Sequence, residues 1–125
     1  MSGVTFDAGG LIALDRNDRR VVALLARAKE RGLRVTIPAT ALAQAMRNPS
    51  RQARLSRLIR QSSTDLVPLD GPDATSVGIL LGGTQTSDIA DAHVVVCARR
   101  SGQAVVTSDA DDLARIAPEL RLVVV

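Results

Sequence analysis

The strongest constraint on this chain is a repeated change of rhythm, in which short runs rich in apolar and β-branched residues alternate with segments whose apolar residues recur at helical spacing. Val4-Thr5-Phe6, Leu33 to Ile37, Leu66-Val67, Ala104-Val105-Val106 and Leu122 to Val125 read as five strands. Taken together their pattern is apolar rather than alternating, with Ala104-Val105-Val106 and Leu122 to Val125 apolar throughout, which implies a sheet covered on both faces. That implies parallel strands joined by helices that cover the faces. The expected fold is a three-layer α/β domain with a twisted five-stranded parallel sheet flanked by helices. At 125 residues the chain has the commonest size of one domain, taken as 1–125, and 46% hydrophobic residues suffice for a core.

Between the strands, Asp7-Ala8-Gly9-Gly10 reads as a turn before a short helix, Leu11-Ile12-Ala13-Leu14. Asn17 or Asp18 is expected to cap a helix carrying Val21, Val22, Leu24, Leu25 and Ala28, with Gly32 at its end. Pro38 stops the second strand and Ala39 to Met46 is helical. Asn48-Pro49 starts another helix, expected to run to about Gln61. A helix from Asp70 to Leu81 is expected to end at Gly82-Gly83, and Ser87 to cap the next, which runs past Val96 and Ala98. Asp109 to Ile116 forms the last.

Several classes are excluded. The longest apolar runs, Val94 to Ala98 and Leu122 to Val125, fall far short of the ~20 residues that span a bilayer. Residues Met1 to Asp7 lack a basic start followed by an apolar stretch, and the single Cys97 forms no internal disulfide, so a cytoplasmic protein is expected. With Phe6 as the one aromatic residue, stacking of bases on aromatic platforms is ruled out as a recognition mode.

The net charge of +3 hides a segregation. Residues 16–60 hold 12 of the 16 basic side chains against two acids, Asp18 and Glu30, whereas the rest of the chain holds 4 basic and 11 acidic residues. Fifteen of the 16 basic residues are Arg, whose planar fork matches phosphate. A GC-rich genome would account for the choice of Arg but not for its placement. Within this block Arg47, Arg51 and Arg54 fall at spacings of four and three, a helical stripe suited to an RNA backbone or simply to solvent.

Sites of open α/β sheets lie outside the carboxyl ends of the strands. Asp7 follows the first strand directly, and Asp109 follows Thr107 by two residues. Asp88 and Asp91 share a helix face, as do Asp109 and Asp112. Each alone reads as a helix cap or a solvated charge, although capping does not explain an acid set between Thr5-Phe6 and Leu11-Ile12. Converging carboxylates repel one another unless a cation neutralises them, and oxygen donors without a His or Cys cluster suit Mg²⁺ or Mn²⁺. Such an ion beside a basic block fits metal-dependent cleavage of phosphodiesters.

Three segments carry a resemblance: Val4 to Leu14, Asp88-Ile89-Ala90-Asp91-Ala92-His93-Val94-Val95, and Val105-Val106-Thr107-Ser108-Asp109-Ala110-Asp111-Asp112-Leu113. In order and spacing they resemble the PIN-domain nucleases, and chain size and element order are similar to the VapC toxins of bacterial VapBC toxin–antitoxin modules. The resemblance implies an acidic site holding Mg²⁺ or Mn²⁺, endoribonuclease activity on RNA, a small VapB-type antitoxin as partner, and a homodimer. It implies Asp7, Asp91 and Asp109 as metal-binding acids, with Asp112 or Asp88 as auxiliary ligands. The family usually has a Glu in the helix after the second strand; here Gln44 stands there, a neutral group that supplies no charge. Asp88, one turn before Asp91, is placed to restore it.

His93, two residues from Asp91, is expected to be structural, and Cys97 to be core. Thr107 and Ser108 either orient a carboxylate or water or cap the strand end. The leading reading is a toxin ribonuclease; a catalytically weak module binding RNA or antitoxin comes second, because of Gln44, and a DNA nuclease third. A receiver-like signalling domain is fourth, since no Lys ends a late strand.

Overall fold

The structure, a computed structural model, describes residues 3–125. Five strands form one sheet: β1 (Gly3–Phe6), β2 (Arg34–Pro38), β3 (Thr64–Val67), β4 (Ala104–Thr107) and β5 (Leu122–Val124). Their order is β3-β2-β1-β4-β5, and every pairing is parallel. The helices are α1 (Ala8–Asp15), α2 (Arg19–Glu30), α3 (Ala39–Ala45), α4 (Ala53–Ile59), α5 (Gly71–Thr84), α6 (Ile89–Ser101) and α7 (Ala110–Ile116). α1 packs on α2, α3 and α4, while α6 packs on α5 and α7 and meets α3. This is the three-layer α/β architecture expected. β1 and β4 are buried along their whole lengths, and Phe6, Leu11, Ile37, Leu55, Val94, Val105 and Leu113 anchor the core.

Several local expectations are corrected. Gly9 and Gly10 do not form a turn; they lie in the first turn of α1, which Asp7 caps by accepting the Gly10 N–H at 2.7 Å. Asp18 rather than Asn17 caps α2, accepting from Arg20 and Val21, because Asn17 sits at φ 60°, outside the extended backbone a cap needs. Gly82 and Gly83 do not end α5, which continues to Thr84 and stops at Gln85 in the left-handed region; glycine permits a break without compelling one. Asp88, not Ser87, caps α6. The helix expected from Pro49 to Gln61 is split into a 3-10 turn, Pro49–Arg51, and α4. The cause is Gln52, whose buried side chain accepts from the Arg47 and Asn48 amides at 2.8 and 2.9 Å and donates to the Ala45 carbonyl at 2.9 Å.

The glycines of α1 are explained by closeness. A Cβ on Gly10 would stand 2.5 Å from the Val106 carbonyl oxygen, a backbone atom of β4, whereas one on Gly9 would meet mainly the Ser108 hydroxyl, at 2.1 Å. A hydroxyl rotates aside and a strand does not. Gly10→Ala is therefore expected to destabilise by roughly 1–2 kcal/mol after its gain in helix propensity, and Gly9→Ala to be nearly neutral. Urea unfolding of both variants checks the difference.

Candidate active site

The strand order reverses at β1. From it the chain moves outward through β2 to β3 and then returns to β4 on the other side, so the carboxyl ends of β1 and β4 flank a crevice. Asp7 follows β1, with its amide donating to the Val106 carbonyl at 3.2 Å. Asp109 follows β4 and caps α7, accepting the Asp112 N–H at 3.4 Å. Asp88 caps α6 through the Asp91 N–H at 2.9 Å. Three helices thus start at one sheet edge, each with a carboxylate on its positive end.

Electrostatics confirm that these carboxylates sense one another. Asp91 is half-buried, and burial first, then the charges of Asp88, Asp7, Asp112 and Asp109, pushes its pKa up to about 7. Asp7 is 4% exposed; burial raises its pKa while the Thr107 hydroxyl and the Gly10 N–H oppose the rise. Asp112 is raised by its hydrogen bond with Asp109 and by that residue's charge. The buried Thr107 hydroxyl also accepts the Asp109 amide at 2.9 Å, so one side chain ties the acids at the ends of two strands together.

A cleft of about 740 Å³ is lined by Thr40, Gln44, Asp88, Asp91, Asp112 and Arg115 and by the neutral polar run 84–87, whereas Asp7 and Asp109 are not part of its lining. Thr40 and Arg115 escaped sequence reasoning. The available signal was spacing, since Thr40 is one turn before Gln44 and Arg115 three residues after Asp112. Gln44 also borders a second depression with Arg16, Arg47 and Arg51. The Arg47 guanidinium turns back to the Ala43 and Met46 carbonyls at 2.9 and 2.8 Å. Arg54 lines a separate groove with Leu25 and Leu58, so the break at Gln52 divides the three arginines between two surfaces.

The oxygens of Asp7, Asp91 and Asp109 do not close to within 4.8 Å of one another; among the described residues that spacing is met by Asp73, His93 and Cys97. All three of these are buried. His93 contacts Thr40 and Asp73, and Cys97 is core, with its thiol pushed by burial up to about 11.

Comparison with known proteins identifies the fold and the family. No curated protein sequence matches the chain significantly. Among solved structures, VapBC2 from Rickettsia felis, bound to a DNA fragment from its promoter, is similar with a TM-score of 0.72 at 14% identity over 98% of each chain. A toxin–antitoxin complex from Klebsiella pneumoniae gives a TM-score of 0.68 at 18% identity over 97% of this chain and 96% of that one. FitAcB from Neisseria gonorrhoeae gives 0.62 at 17% identity over 95% of both. At such identities the likeness concerns the fold. The PIN domain profile matches residues 5–118, nearly the whole length, and the chain belongs to the PIN domain family.

Proposed function

We propose that this PIN domain is the toxin of a toxin–antitoxin module, an endoribonuclease that uses Mg²⁺ or Mn²⁺ and is held in check by a VapB-type antitoxin. The observation that carries the nuclease reading is the convergence of five carboxylates on one edge, where burial first and then the charges of its neighbours lift Asp91 to about 7. Oxygen donors that raise each other's proton affinity fit a hard divalent cation, which relieves the repulsion by neutralising it. Asp7, Asp91 and Asp109 would hold the ion, with Asp88 and Asp112 adding charge. Their spacing suits partial ligation through water, which Mg²⁺ favours. When bound, the ion supplies a more acidic water and stabilises charge developing on phosphate.

The chain's own residues do the rest. Thr107 and the three helix N-termini fix the carboxylates in place, while Arg47 and Arg51, beside the cleft, offset the repulsion that an acidic edge exerts on phosphates. The toxin role and the antitoxin partner draw support from the fold shared with toxin–antitoxin complexes, and a homodimer belongs to the same reading. Among the described residues no helix is long and apolar enough to cross a membrane. A second reading, a weakly catalytic module that binds RNA or antitoxin, is favoured by one observation: Gln44, which lines the cleft, adds no charge to it.

Four outcomes test this. Asp91→Asn should abolish cleavage of RNA in Mg²⁺ or Mn²⁺ while the domain stays folded; a fully active variant would remove Asp91 from the site. The same change should stabilise the metal-free protein in a pH-dependent way. Unfolded Asp91 loses its proton near 3.8 and the folded residue holds it to about 7, so wild-type stability falls as pH rises through that window. The gain in Tm of Asp91→Asn over wild type should therefore grow from pH 4 to pH 7 and then level off. If Asp88 replaces the charge absent at Gln44, Asp88→Asn should be nearly as inactive as Asp91→Asn, whereas loss of a cap alone would cost only ~1 kcal/mol of stability. Finally, Arg47→Gln with Arg51→Gln should flatten the salt dependence of RNA binding by about 1.4 log–log units, and Arg54→Gln should leave it unchanged. An Asp91→Asn background prevents cleavage during that measurement.

A further inference from the structure

Behind the cleft wall a line of hydrogen bonds runs from the protein surface to Thr40 in the cleft lining. The exposed Arg100 grips both oxygens of Asp73, at 2.7 and 3.0 Å. The second oxygen of Asp73 is 3.4 Å from Nε2 of His93, and Nδ1 of His93 is 2.8 Å from the hydroxyl of Thr40. His93 is fully buried and Asp73 is 5% exposed, whereas Thr40 is half-buried and lines the cleft beside Asp91. The line crosses α5, α6 and α3, three elements that sequence order separates.

The chemistry of the groups sets the direction of the bonds. Asp73, kept below the ordinary carboxylate range by Arg100, only accepts. A neutral ring opposite it places its proton on Nε2, leaving Nδ1 as the lone-pair side. Thr40 then spends its one O–H on Nδ1. Its remaining capacity is as an acceptor.

We propose that Arg100, Asp73 and His93 form a buried relay that holds the Thr40 hydroxyl as a hydrogen-bond acceptor in the cleft, where it takes an O–H donor. That donor is either the 2′-hydroxyl of an RNA substrate or the hydrolytic water, and Thr40 discriminates by chemistry that a DNA sugar lacks in the first case. His93 and Asp73 are positioning residues, because they act through Thr40. The proposal rests on the nuclease reading above. Asp73, His93 and Cys97 are also close enough to ligate a metal, but Arg100 occupies both Asp73 oxygens and lies 3.9 Å from the Cys97 sulfur, setting a positive charge where a cation would sit.

The test begins with wild type, since His93 is the single histidine of the chain and its ring nitrogens give an unambiguous ¹⁵N spectrum. The expected result is the Nε2–H tautomer, with a change at Nδ1 in Thr40→Val; an Nδ1–H ring, a ring protonated on both nitrogens, or displacement of these signals by added Zn²⁺ would overturn the relay. Next, wild type, Thr40→Val and Thr40→Ser are compared on a single-stranded RNA and its 2′-deoxy counterpart, for binding in Ca²⁺ and for single-turnover cleavage in Mg²⁺. If the donor is ribose, wild type prefers RNA, Thr40→Val loses that preference by roughly three- to tenfold, and Thr40→Ser keeps it. If the donor is water, binding is unchanged, the cleavage rate falls about tenfold or more in Thr40→Val, and Thr40→Ser restores it. Thr40→Val equal to wild type in both measurements, or Thr40→Ser as impaired as Thr40→Val, overturns the proposal and leaves the nuclease reading standing. Failure of wild type to bind or cleave RNA overturns both, and is recognised without any variant.

Discussion

Mutual repulsion among carboxylates crowded at one sheet edge is the constraint around which this molecule is organised. The crowding follows from topology, because the reversal of strand order at β1 sets Asp7 and Asp109 at the ends of adjacent strands. A parallel sheet sends every strand toward the same edge, so every following helix begins there too. Acids placed at strand ends are then also acids at helix starts. The partial positive charge of each N-terminus offsets part of the repulsion, about 0.3–1 kcal/mol per acid near solvent. Burial, together with the repulsion that the helices leave uncompensated, appears as the raised proton affinity of Asp91.

Proximity demands backbone closeness, and the glycines of α1 supply it. The helix can begin directly after Phe6 and still press on the end of β4 because no Cβ intervenes between Gly10 and Val106. If α1 stood farther off, Asp7 would lose its place against Thr107. Thr107 is the counterpart on the other strand: one buried hydroxyl reaches the Asp7 carboxylate and the Asp109 amide. Structure and chemistry are therefore set by the same few atoms, and the site tolerates little slack between β1 and β4.

The sheet was legible in the sequence because its central strands are built from apolar and β-branched residues: Val4-Thr5-Phe6 and Ala104-Val105-Val106 carry no charge, and both strands are buried along their whole lengths. The acids were legible for a related reason, since their positions relative to strand ends are local. Misreadings arose where a residue type serves two purposes. Gly9-Gly10 signals a turn by propensity but serves close packing, which depends on a strand about a hundred residues away in the chain. Gly82-Gly83 signals a stop, yet a helix crosses both. The division of Arg47, Arg51 and Arg54 depended on Gln52, a polar side chain that gives no warning of being buried. Thr40 was invisible because its partner, His93, lies on another helix, and only packing of α3 against α6 brings them together.

The wall formed by α3 is where this chain departs from its family's pattern, and the electrostatics suggest why the departure is tolerable. Asp91 already has its proton affinity raised by burial and, after it, by four neighbouring acids. A fifth acid at Gln44, in the same cleft, would add to that repulsion and to the cost of keeping the metal-free protein folded. Asp88 provides a charge at lower cost, because its other oxygen is already occupied by the Asp91 amide at the start of α6 and it stands on a helix's positive end. The proposed placement of this charge on Asp88, at the cap of α6, rather than on α3 sets it at a helix N-terminus, which offsets part of the repulsion. It also frees α3 to present neutral groups, Gln44 and Thr40, along the cleft. Neutral hydrogen-bonding groups suit contact with sugar hydroxyls or water, whereas a carboxylate there would repel the phosphates between them. The acids and the neutral wall thus divide the labour of one cleft, charge on the side of α6 and α7 and hydrogen bonding on the side of α3.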